Sequence, residues 1–325
     1  MPKHILIISS ELFSLINFRG SLIKCLIDCG HKVTALAPRE KHNNEDKIKK
    51  LANMGVVLKN YYLSRASLNP FKDYLSYKSI YFSISQTKPD IVIAYTAKPV
   101  IYTGMAMRHF PKISFFPLIT GLGYGFTEGD GIKRKITQQV MTVLYRRGLK
   151  SAKSIIFQNY DDEKIFYGLK IISKKQSSHI VNGSGVDLNL YPFSLPPKKP
   201  IFLMLSRLLV DKGVREFVES AQILRKRGLS AKDVRFVVVG RPDIDNPQSL
   251  LPDELNQWKS EGIVEFWGHR TDMPYVIGCA NLVVLPSYYG EGLPKVLIEA
   301  AACGRAVITT DHPGCRDAIE AGVTG

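Results

Sequence analysis

Short apolar runs rich in β-branched and aromatic residues alternate with longer helix-patterned stretches along the whole chain, and this alternation starts twice. In the first half the runs are HILIIS (4–9), VTALA (33–37), VVLKNYY (56–62), DIVIAY (90–95), ISFFPLIT (113–120), SIIFQN (154–159) and HIVN (179–182). Helices are expected between them near 11–29, 44–54, 70–86, 98–109, 131–150 and 160–168. YPFSLPPKKP (191–200), rich in Pro and Lys, suits a linker. Beyond it come IFLML (201–205), RFVVVG (235–240), IVEFWG (263–268), LVVLPS (282–287) and AVITT (306–310), with helices expected near 213–227, 250–260, 272–278 and 294–303. Strands that are apolar on both faces and joined by crossover helices form parallel, doubly wound sheets. The expected architecture is therefore α/β, with two Rossmann-like domains, 1–190 and 201–325, joined by 191–200 and facing a cleft. In such sheets ligands bind beyond the carboxyl ends of the strands, so the chemistry belongs in the loops that follow them.

A length of 325 residues suits two cores, because single cores stop growing near 250–300 residues. With 45% apolar and 22% charged residues the chain is not a disordered or low-complexity one. No apolar run reaches the roughly 20 residues of a membrane span, and MPKHILIISS is too short and strand-like for a signal peptide. A cytosolic globular protein is expected. Its formal charge of +15 is unevenly placed: residues 1–195 hold 28 Lys+Arg and 13 Asp+Glu, residues 196–325 hold 16 of each. Such asymmetry fits a nucleic acid, a membrane surface or a phosphorylated substrate bound by one domain, or a basic surface that serves solubility alone. The five cysteines (Cys25, Cys29, Cys279, Cys303 and Cys315) have no zinc-type spacing or export signal and read as small core residues.

Two loops of the second half carry chemistry. YYGEGLPKVLIEAAACG (288–304) follows a strand and opens a helix, with Pro294 suited to its first turn and Gly304 to its end. Backbone N–H groups at such a helix start attract anions and hydroxyls. Glu291 stands at the mouth of that site and Glu299 about two turns further on, a spacing at which two carboxylates grip hydroxyls of two sugars. Either one alone also reads as a dipole-compensating or solvated charge. SRLLVDKGV (206–214) follows the strand 201–205 and carries Arg207 and Lys212, a guanidinium fork plus a point charge suited to holding a diphosphate leaving group.

The E-x7-E pattern from Glu291 to Glu299, the SR…DKG loop and NGSGVD (182–187) together resemble glycosyltransferase family 4, retaining enzymes of the GT-B fold. SRASLNP (64–70), YTAKPVIYTG (95–104) and ITGLGY (119–124) are similar to bacterial members that add hexose or N-acetylhexosamine to undecaprenyl-diphosphate-linked sugars of surface polysaccharides or glycoprotein glycans. The resemblance implies that Arg207 and Lys212 hold the diphosphate of a UDP-sugar, Glu299 the ribose, and Glu291 a hydroxyl of the transferred sugar. It also implies sugar contacts from the backbone of Gly292 and Leu293, and phosphate or base contacts at Gly240, Arg241, His269 and Arg270. In the first half it points to Asn17 in LFSLINFRG, Arg19, Arg65, Lys98 and Thr120 as acceptor-binding. No cofactor and no metal are implied, the nucleotide sugar being a substrate. The resemblance further implies a front-face displacement in which the leaving phosphate takes the acceptor's proton, and a peripheral enzyme on the inner face of the cytoplasmic membrane.

Other readings remain. GLGYG (121–125) lacks the last glycine of a dinucleotide loop and lies too far from the next helix, and the first strand is followed by SSELFSLINF, so a nicotinamide- or nucleotide-dependent oxidoreductase or epimerase is the weaker alternative. No helix-turn-helix, zinc or aromatic RNA-binding signature accompanies the charge, so no nucleic-acid partner is expected. Asp243 and Asp245 form a D-x-D triplet inside RPDIDNPQ and read as a turn. GIKRKITQQVMTVLYRRGLKSAK (131–153) sets Lys133, Arg134, Lys135, Arg146, Arg147, Lys150 and Lys153 around Ile136, Val140, Val143 and Leu144. It reads equally as a lipid-surface helix and as a core helix. The sequence ends at EAGVTG, where family chains usually continue with a strand and helices; an incomplete second domain, even an inactive homologue, is the expectation this raises.

Overall fold

The computed structural model describes residues 1–39, 44–65, 69–122, 126, 132–243, 246 and 248–325, with the side chains of Lys133 and Arg134 also left aside. The chain forms two compact units, Met1–Ser184 and Gly185–Gly325. The second unit starts a few residues ahead of the Pro-rich stretch. Asp187 nucleates a turn there, its carboxylate accepting the Asn189 amide at 3.0 Å and its carbonyl the amides of Leu190 and Tyr191 at 3.0 and 3.1 Å.

The first unit holds seven parallel strands, β1 (His4–Ile8), β2 (Lys32–Pro38), β3 (Val57–Tyr61), β4 (Ile91–Tyr95), β5 (Ser114–Ile119), β6 (Ile155–Phe157) and β7 (Ser178–Ile180), in the order β3-β2-β1-β4-β5-β6-β7. Its helices are α1 (Leu12–Asn17), α2 (Gly20–Asp28), α3 (Glu45–Asn53), α4 (Pro70–Thr87), α5 (Ala97–Met107), α6 (Ile132–Gly148) and α7 (Tyr160–Gly168). Alternate residues of β1 feed two cores. Leu6 and Ile8 pack with α4 to α7 through Ile80, Val100, Tyr145 and Phe166, while Ile5 and Ile7 pack with α1 to α3 through Leu15, Ile23 and Leu51. Each fully buried Ile or Leu adds about 2 kcal/mol, so an uninterrupted apolar strand has no stable place except between two helical layers. Side-chain caps fix two helix starts. Asn69 accepts from the Phe71 amide at 2.9 Å ahead of Pro70, and Asn159 from the Asp162 amide at 2.7 Å.

The second unit holds β8 (Ile201–Leu205), β9 (Arg235–Val239), β10 (Val264–Gly268), β11 (Leu282–Leu285) and β12 (Ala306–Thr309), all parallel, in the order β10-β9-β8-β11-β12. The helices α8 (Val214–Lys226), α9 (Pro252–Glu261), α10 (Met273–Gly278) and α11 (Lys295–Ala302) cover it. Leu203 and Leu205 face α10 and α11, and Met204 faces α8 and α9. Buried Arg305 ties the segment before β8 to this unit. Its guanidinium donates to the Ser194 carbonyl (2.5 Å), the Ser194 Oγ (2.5 Å), the Cys303 carbonyl (2.9 Å) and the Gly278 carbonyl (2.9 Å).

Three expectations change. The helix expected over 11–29 is two helices that break at Phe18–Arg19, where Arg19 leaves the helical conformation (φ −125°, ψ −2°) and lays its guanidinium over the Tyr95 ring at 4.7 Å. The cysteines are not all core residues: Cys303 and Cys315 are buried and Cys279 is half-buried, but Cys25 and Cys29 are exposed, on the outer side of α2 and at its end. And α6 is two-faced. Tyr145, Met141 and Leu144 pack inward, whereas Ile136 and Val140 remain 55% and 51% exposed and Val143 is exposed as well.

Both sheets reverse strand order once, between β1 and β4 and between β8 and β11. These reversals open the crevices in which doubly wound sheets bind ligands.

Candidate active site

In the second unit the order reversal brings together the two loops singled out on sequence. The loop after β8 carries Arg207 and Lys212, and the loop after β11 carries Glu291, 79 residues beyond Lys212. The approach depends on glycine. Gly213 has φ +79°, and a Cβ there would lie 2.2 Å from the Pro286 carbonyl oxygen; a Cβ on Gly240 would lie 1.8 Å from that of Ser206. No side chain fits at either point, so the ends of β8, β9 and β11 meet through bare backbone.

Lys212 and Glu291 form an ion pair, Nζ to Oε1, both side chains mostly withdrawn from solvent. Ser287 Oγ donates to the same carboxylate oxygen at 3.2 Å. The Lys212 ammonium stands 5.1 Å from the centre of the Tyr289 ring, and the Tyr289 carbonyl accepts the Glu291 amide at 2.7 Å. Arg207 Nη1 donates to Asp243 Oδ2 at 2.7 Å. Burial raises the Tyr289 phenol above its ordinary pKa, so it stays neutral at physiological pH. The result is two ion pairs, Asp243–Arg207 and Glu291–Lys212, the second with the Tyr289 ring against its ammonium.

Asp243 opens a turn, its carbonyl accepting the Asn246 amide at 2.8 Å, while its carboxylate serves Arg207; Asp245 lies outside the described residues. Among the described residues no group of three or more His, Cys, Asp or Glu is placed to hold a metal ion.

The other donor-side candidates lie on the neighbouring loops and on α11. Gly240 donates its amide to the Gly268 carbonyl at 2.9 Å, and the Arg241 carbonyl accepts the Leu208 amide at 3.0 Å, so backbone joins the loops after β8, β9 and β10. The Arg241 and His269 side chains are exposed, and Arg270 is held by Asp272 through two bonds of 2.8 and 2.5 Å. Gly292 and Leu293 are buried directly before α11, whose first residue is Lys295 rather than Pro294. Glu299 is consequently the fifth residue of α11, little more than one turn in, and only 8% exposed. It accepts from the Tyr191 hydroxyl at 2.7 Å and pairs with Lys295 at 3.2 Å. Burial, followed by the neighbouring Glu299, raises the Tyr191 phenol far above its usual value.

In the first unit each candidate again follows a strand's carboxyl end. Asn17 closes α1 and is exposed. Arg19 is 5% exposed, bonded to the Phe18 carbonyl at 2.8 Å, with its Nε unpartnered among the described residues. Exposed Arg65 pairs with Glu11 at 3.1 Å. Lys98, in the first turn of α5, bonds Asp73 Oδ1 at 2.6 Å and the Ser64 carbonyl at 2.7 Å. Thr120 is half-buried just past β5. Residues 66–68 of SRASLNP and 123–125 of GLGYG lie outside the described residues.

Sequence reasoning missed Tyr289, Ser287, Tyr191 and the carboxylate role of Asp243. The aromatic pair Tyr288–Tyr289 directly ahead of GEG was the available signal for the first; nothing local marks Tyr191, which meets Glu299 across 108 residues.

Comparison with known proteins agrees with this geometry. Residues 199–325 match the family "Glycosyl transferases group 1" and residues 8–159 match "Glycosyl transferase 4-like". The chain is 30% identical over 321 residues to the N,N'-diacetylbacillosaminyl-diphospho-undecaprenol alpha-1,3-N-acetylgalactosaminyltransferase of Campylobacter jejuni, covering 94% of this chain and 80% of that one. Anabaena HepE in complex with UDP and glucose superposes with a TM-score of 0.73 at 17% identity, over 99% of this chain and 84% of that one. Sucrose-phosphate synthase from Thermosynechococcus elongatus does so with a TM-score of 0.73 at 16% identity, over 96% and 82%. The chain belongs to the group 1, family-4-like glycosyltransferases and has their GT-B fold of two Rossmann-like units. It is a glycosyltransferase; the oxidoreductase alternative finds no support in these matches.

Proposed function

We propose that this enzyme moves a hexose or N-acetylhexosamine, with retention of configuration, from a UDP-sugar to a sugar carried on undecaprenyl diphosphate, during synthesis of a bacterial surface polysaccharide or glycoprotein glycan. The observation that carries the donor half of this reading is the Lys212–Glu291 ion pair, formed between the two loops at the strand-order reversal of the second sheet, with Arg207 on the same loop as Lys212. A loop with two cations, one of them paired with the Glu291 carboxylate, matches a diphosphate leaving group next to a sugar hydroxyl. The acceptor half rests on the Campylobacter relative, whose name specifies a diphospho-undecaprenol sugar.

In the mechanism we infer, Arg207 and Lys212 take up the charge that develops on the leaving diphosphate, and Glu291 orients the sugar by a hydroxyl contact. The acceptor hydroxyl attacks from the face that the phosphate leaves, and its proton passes to the departing phosphate oxygen. No carboxylate attacks the sugar, unlike in retaining glycosidases. The work is positioning and charge stabilisation, without metal or cofactor. Gly240, Arg241, His269, Arg270, Gly292, Leu293 and Glu299 complete the donor site, and Asn17, Arg19, Arg65, Lys98 and Thr120 the acceptor site.

We place the enzyme on the inner face of the cytoplasmic membrane, bound at its surface, with anionic lipid rather than nucleic acid as the partner of the basic first unit. No helix among the described residues is long and apolar enough to cross a membrane. Both α4 and α6 flank α5 in one layer and leave large apolar side chains in solvent: Phe71, Tyr74 and Phe82 on α4, Ile132, Ile136, Val140 and Val143 on α6. Lys72, Lys78, Lys135, Arg146 and Arg147 share these helices. Apolar residues amid basic ones suit an anionic bilayer surface, where each cation adds about 1 kcal/mol.

Incubation with a panel of UDP-sugars and undecaprenyl-diphosphate-linked monosaccharide, read by mass spectrometry, tests the assignment. One donor should add a single hexose or N-acetylhexosamine mass to the lipid-linked sugar. Absence of any lipid-linked product across the panel, from folded protein, would overturn it.

A further inference from the structure

Resting on the reading of Glu299 as the donor-site carboxylate for the ribose, we propose that Tyr191 is the positioning residue of that contact. It fixes one oxygen of the Glu299 carboxylate so that the other accepts the ribose hydroxyls, and thereby gives the site its preference for a ribonucleotide over a nucleotide without those hydroxyls.

The contacts to this carboxylate are one-sided. The Tyr191 hydroxyl donates to Glu299 Oε1 at 2.7 Å, and the Lys295 ammonium pairs with the same oxygen at 3.2 Å. An ionised carboxylate offers about four acceptor sites, two on each oxygen. Tyr191 and Lys295 take those on Oε1, and no contact among the described residues engages Oε2. Nor is Oε2 one of the fully buried oxygens left without a partner, so it meets the surface within the 10% of the side chain that stays exposed. Its acceptor sites match a pair of neighbouring hydroxyls.

Lys295 alone holds the carboxylate poorly. A Lys four residues ahead of a Glu is the weaker order of an i,i+4 helix pair, and its long chain makes it a mobile point charge. The Glu299 chain also has rotamer freedom of its own to lose. Tyr191 brings its hydroxyl from a fixed place. Its ring packs on the core to which Leu297 and Ala300 of α11 belong, and its amide donates to the Asp187 carbonyl at 3.1 Å. Three residues on, Arg305 clamps Ser194 by bonds of 2.5 Å to its carbonyl and to its Oγ. Burial keeps the Tyr191 phenol protonated at physiological pH, so it is the donor in this bond. A mostly buried carboxylate oxygen held against a ligand hydroxyl rejects a ligand without one, because its lost hydration then goes uncompensated. A carboxylate free to turn back to water discriminates less.

The test is calorimetric titration of wild type, Tyr191→Phe and Glu299→Ala with UDP and with 2′,3′-dideoxy-UDP, which lacks both ribose hydroxyls. Tyr191→Phe keeps the ring on the core, and so the fold, and loses only the bond to Glu299. It should weaken UDP about 10-fold, the scale of one hydrogen bond to a charged group, and change dideoxy-UDP less than about 2-fold. In turnover it should raise the donor KM more than it lowers kcat. A merely structural role would weaken both ligands together or neither, with at most a lower melting temperature; either result overturns the proposal. Glu299→Ala separates the two levels of inference. If it abolishes the preference for UDP while Tyr191→Phe retains it, only the positioning role fails. If Glu299→Ala retains the preference, the ribose reading of Glu299 falls and the proposal with it.

Discussion

The two units share a topology but hold charge in different ways. The second carries 16 Lys+Arg against 17 Asp+Glu, and cations near its strand ends are matched to partners: Arg207 to Asp243, Lys212 to Glu291, Lys295 to Glu299. The first carries 28 against 12, and although Arg65 and Lys98 find carboxylates at its strand ends, the surplus is spread over helices such as α3 (Lys47, Lys49, Lys50) and α6 (Lys135, Arg146, Arg147) and over the loops between elements. Matched charges at one crevice suit a small ligand with fixed geometry. A diffuse surplus suits an extended anionic surface, whose attraction sums over many weak contacts and fades with salt.

The sharpest way to break that contrast is to remove single charges from each unit. Lys212→Ala and Glu291→Gln should each lower sugar transfer by at least about 100-fold, the scale of one lost transition-state contact. Near-normal turnover in both sinks the donor-site assignment. No single charge of α6 should matter so much. Ile136→Asp with Val140→Asp should instead abolish flotation with anionic vesicles while leaving transfer to a short, detergent-free acceptor within about 2-fold; unchanged flotation would return α6 to a purely core role. Raising salt from about 0.1 to 0.5 M should release wild type from vesicles and leave UDP binding less affected.

Stability gives smaller effects. Arg305→Ala strands several buried carbonyls in the second unit, and should cost about 3 kcal/mol in urea unfolding. A loss under 0.5 kcal/mol would mean that segment 194–195 is held by other contacts. The smallest effect concerns Glu265, whose carboxyl is held below its ordinary value of 4.5, first by the hydrogen bonds of Arg235. Its contribution is present above about pH 4.5 and lost as pH falls through the lower folded value. Because the pair is well exposed, Glu265→Gln should flatten that acid limb by only about 0.5 kcal/mol. An unchanged limb would show the pair to be inert.

Much of this was legible in the sequence, for reasons that particular residues make plain. Each of the twelve strands among the described residues falls on an expected run, β2 and β7 starting one residue early, because a strand such as IFLML, buried on both faces, has no competing pattern. The break of 11–29 was hidden because Arg19 reads as a surface cation, and only the Tyr95 ring, 76 residues away, makes its burial intelligible. Glu299 is legible as a candidate, but a two-turn offset from Glu291 requires helix from Glu291 onward, and α11 begins only at Lys295. Exposed Cys25 and Cys29 were misjudged because an i, i+4 pair does not reveal which side of a helix faces out. Most elusive were the partners of the two cations, because Asp243 and Glu291 stand 36 and 79 residues beyond Arg207 and Lys212 in sequence.

The measurement that tests the central claim most directly is the anomeric configuration of the product. NMR of the disaccharide released from the lipid, after reaction with an α-configured UDP-sugar, should show one new α linkage. A β linkage, or release of free sugar and UDP without any glycan product, would contradict the retaining transfer proposed here.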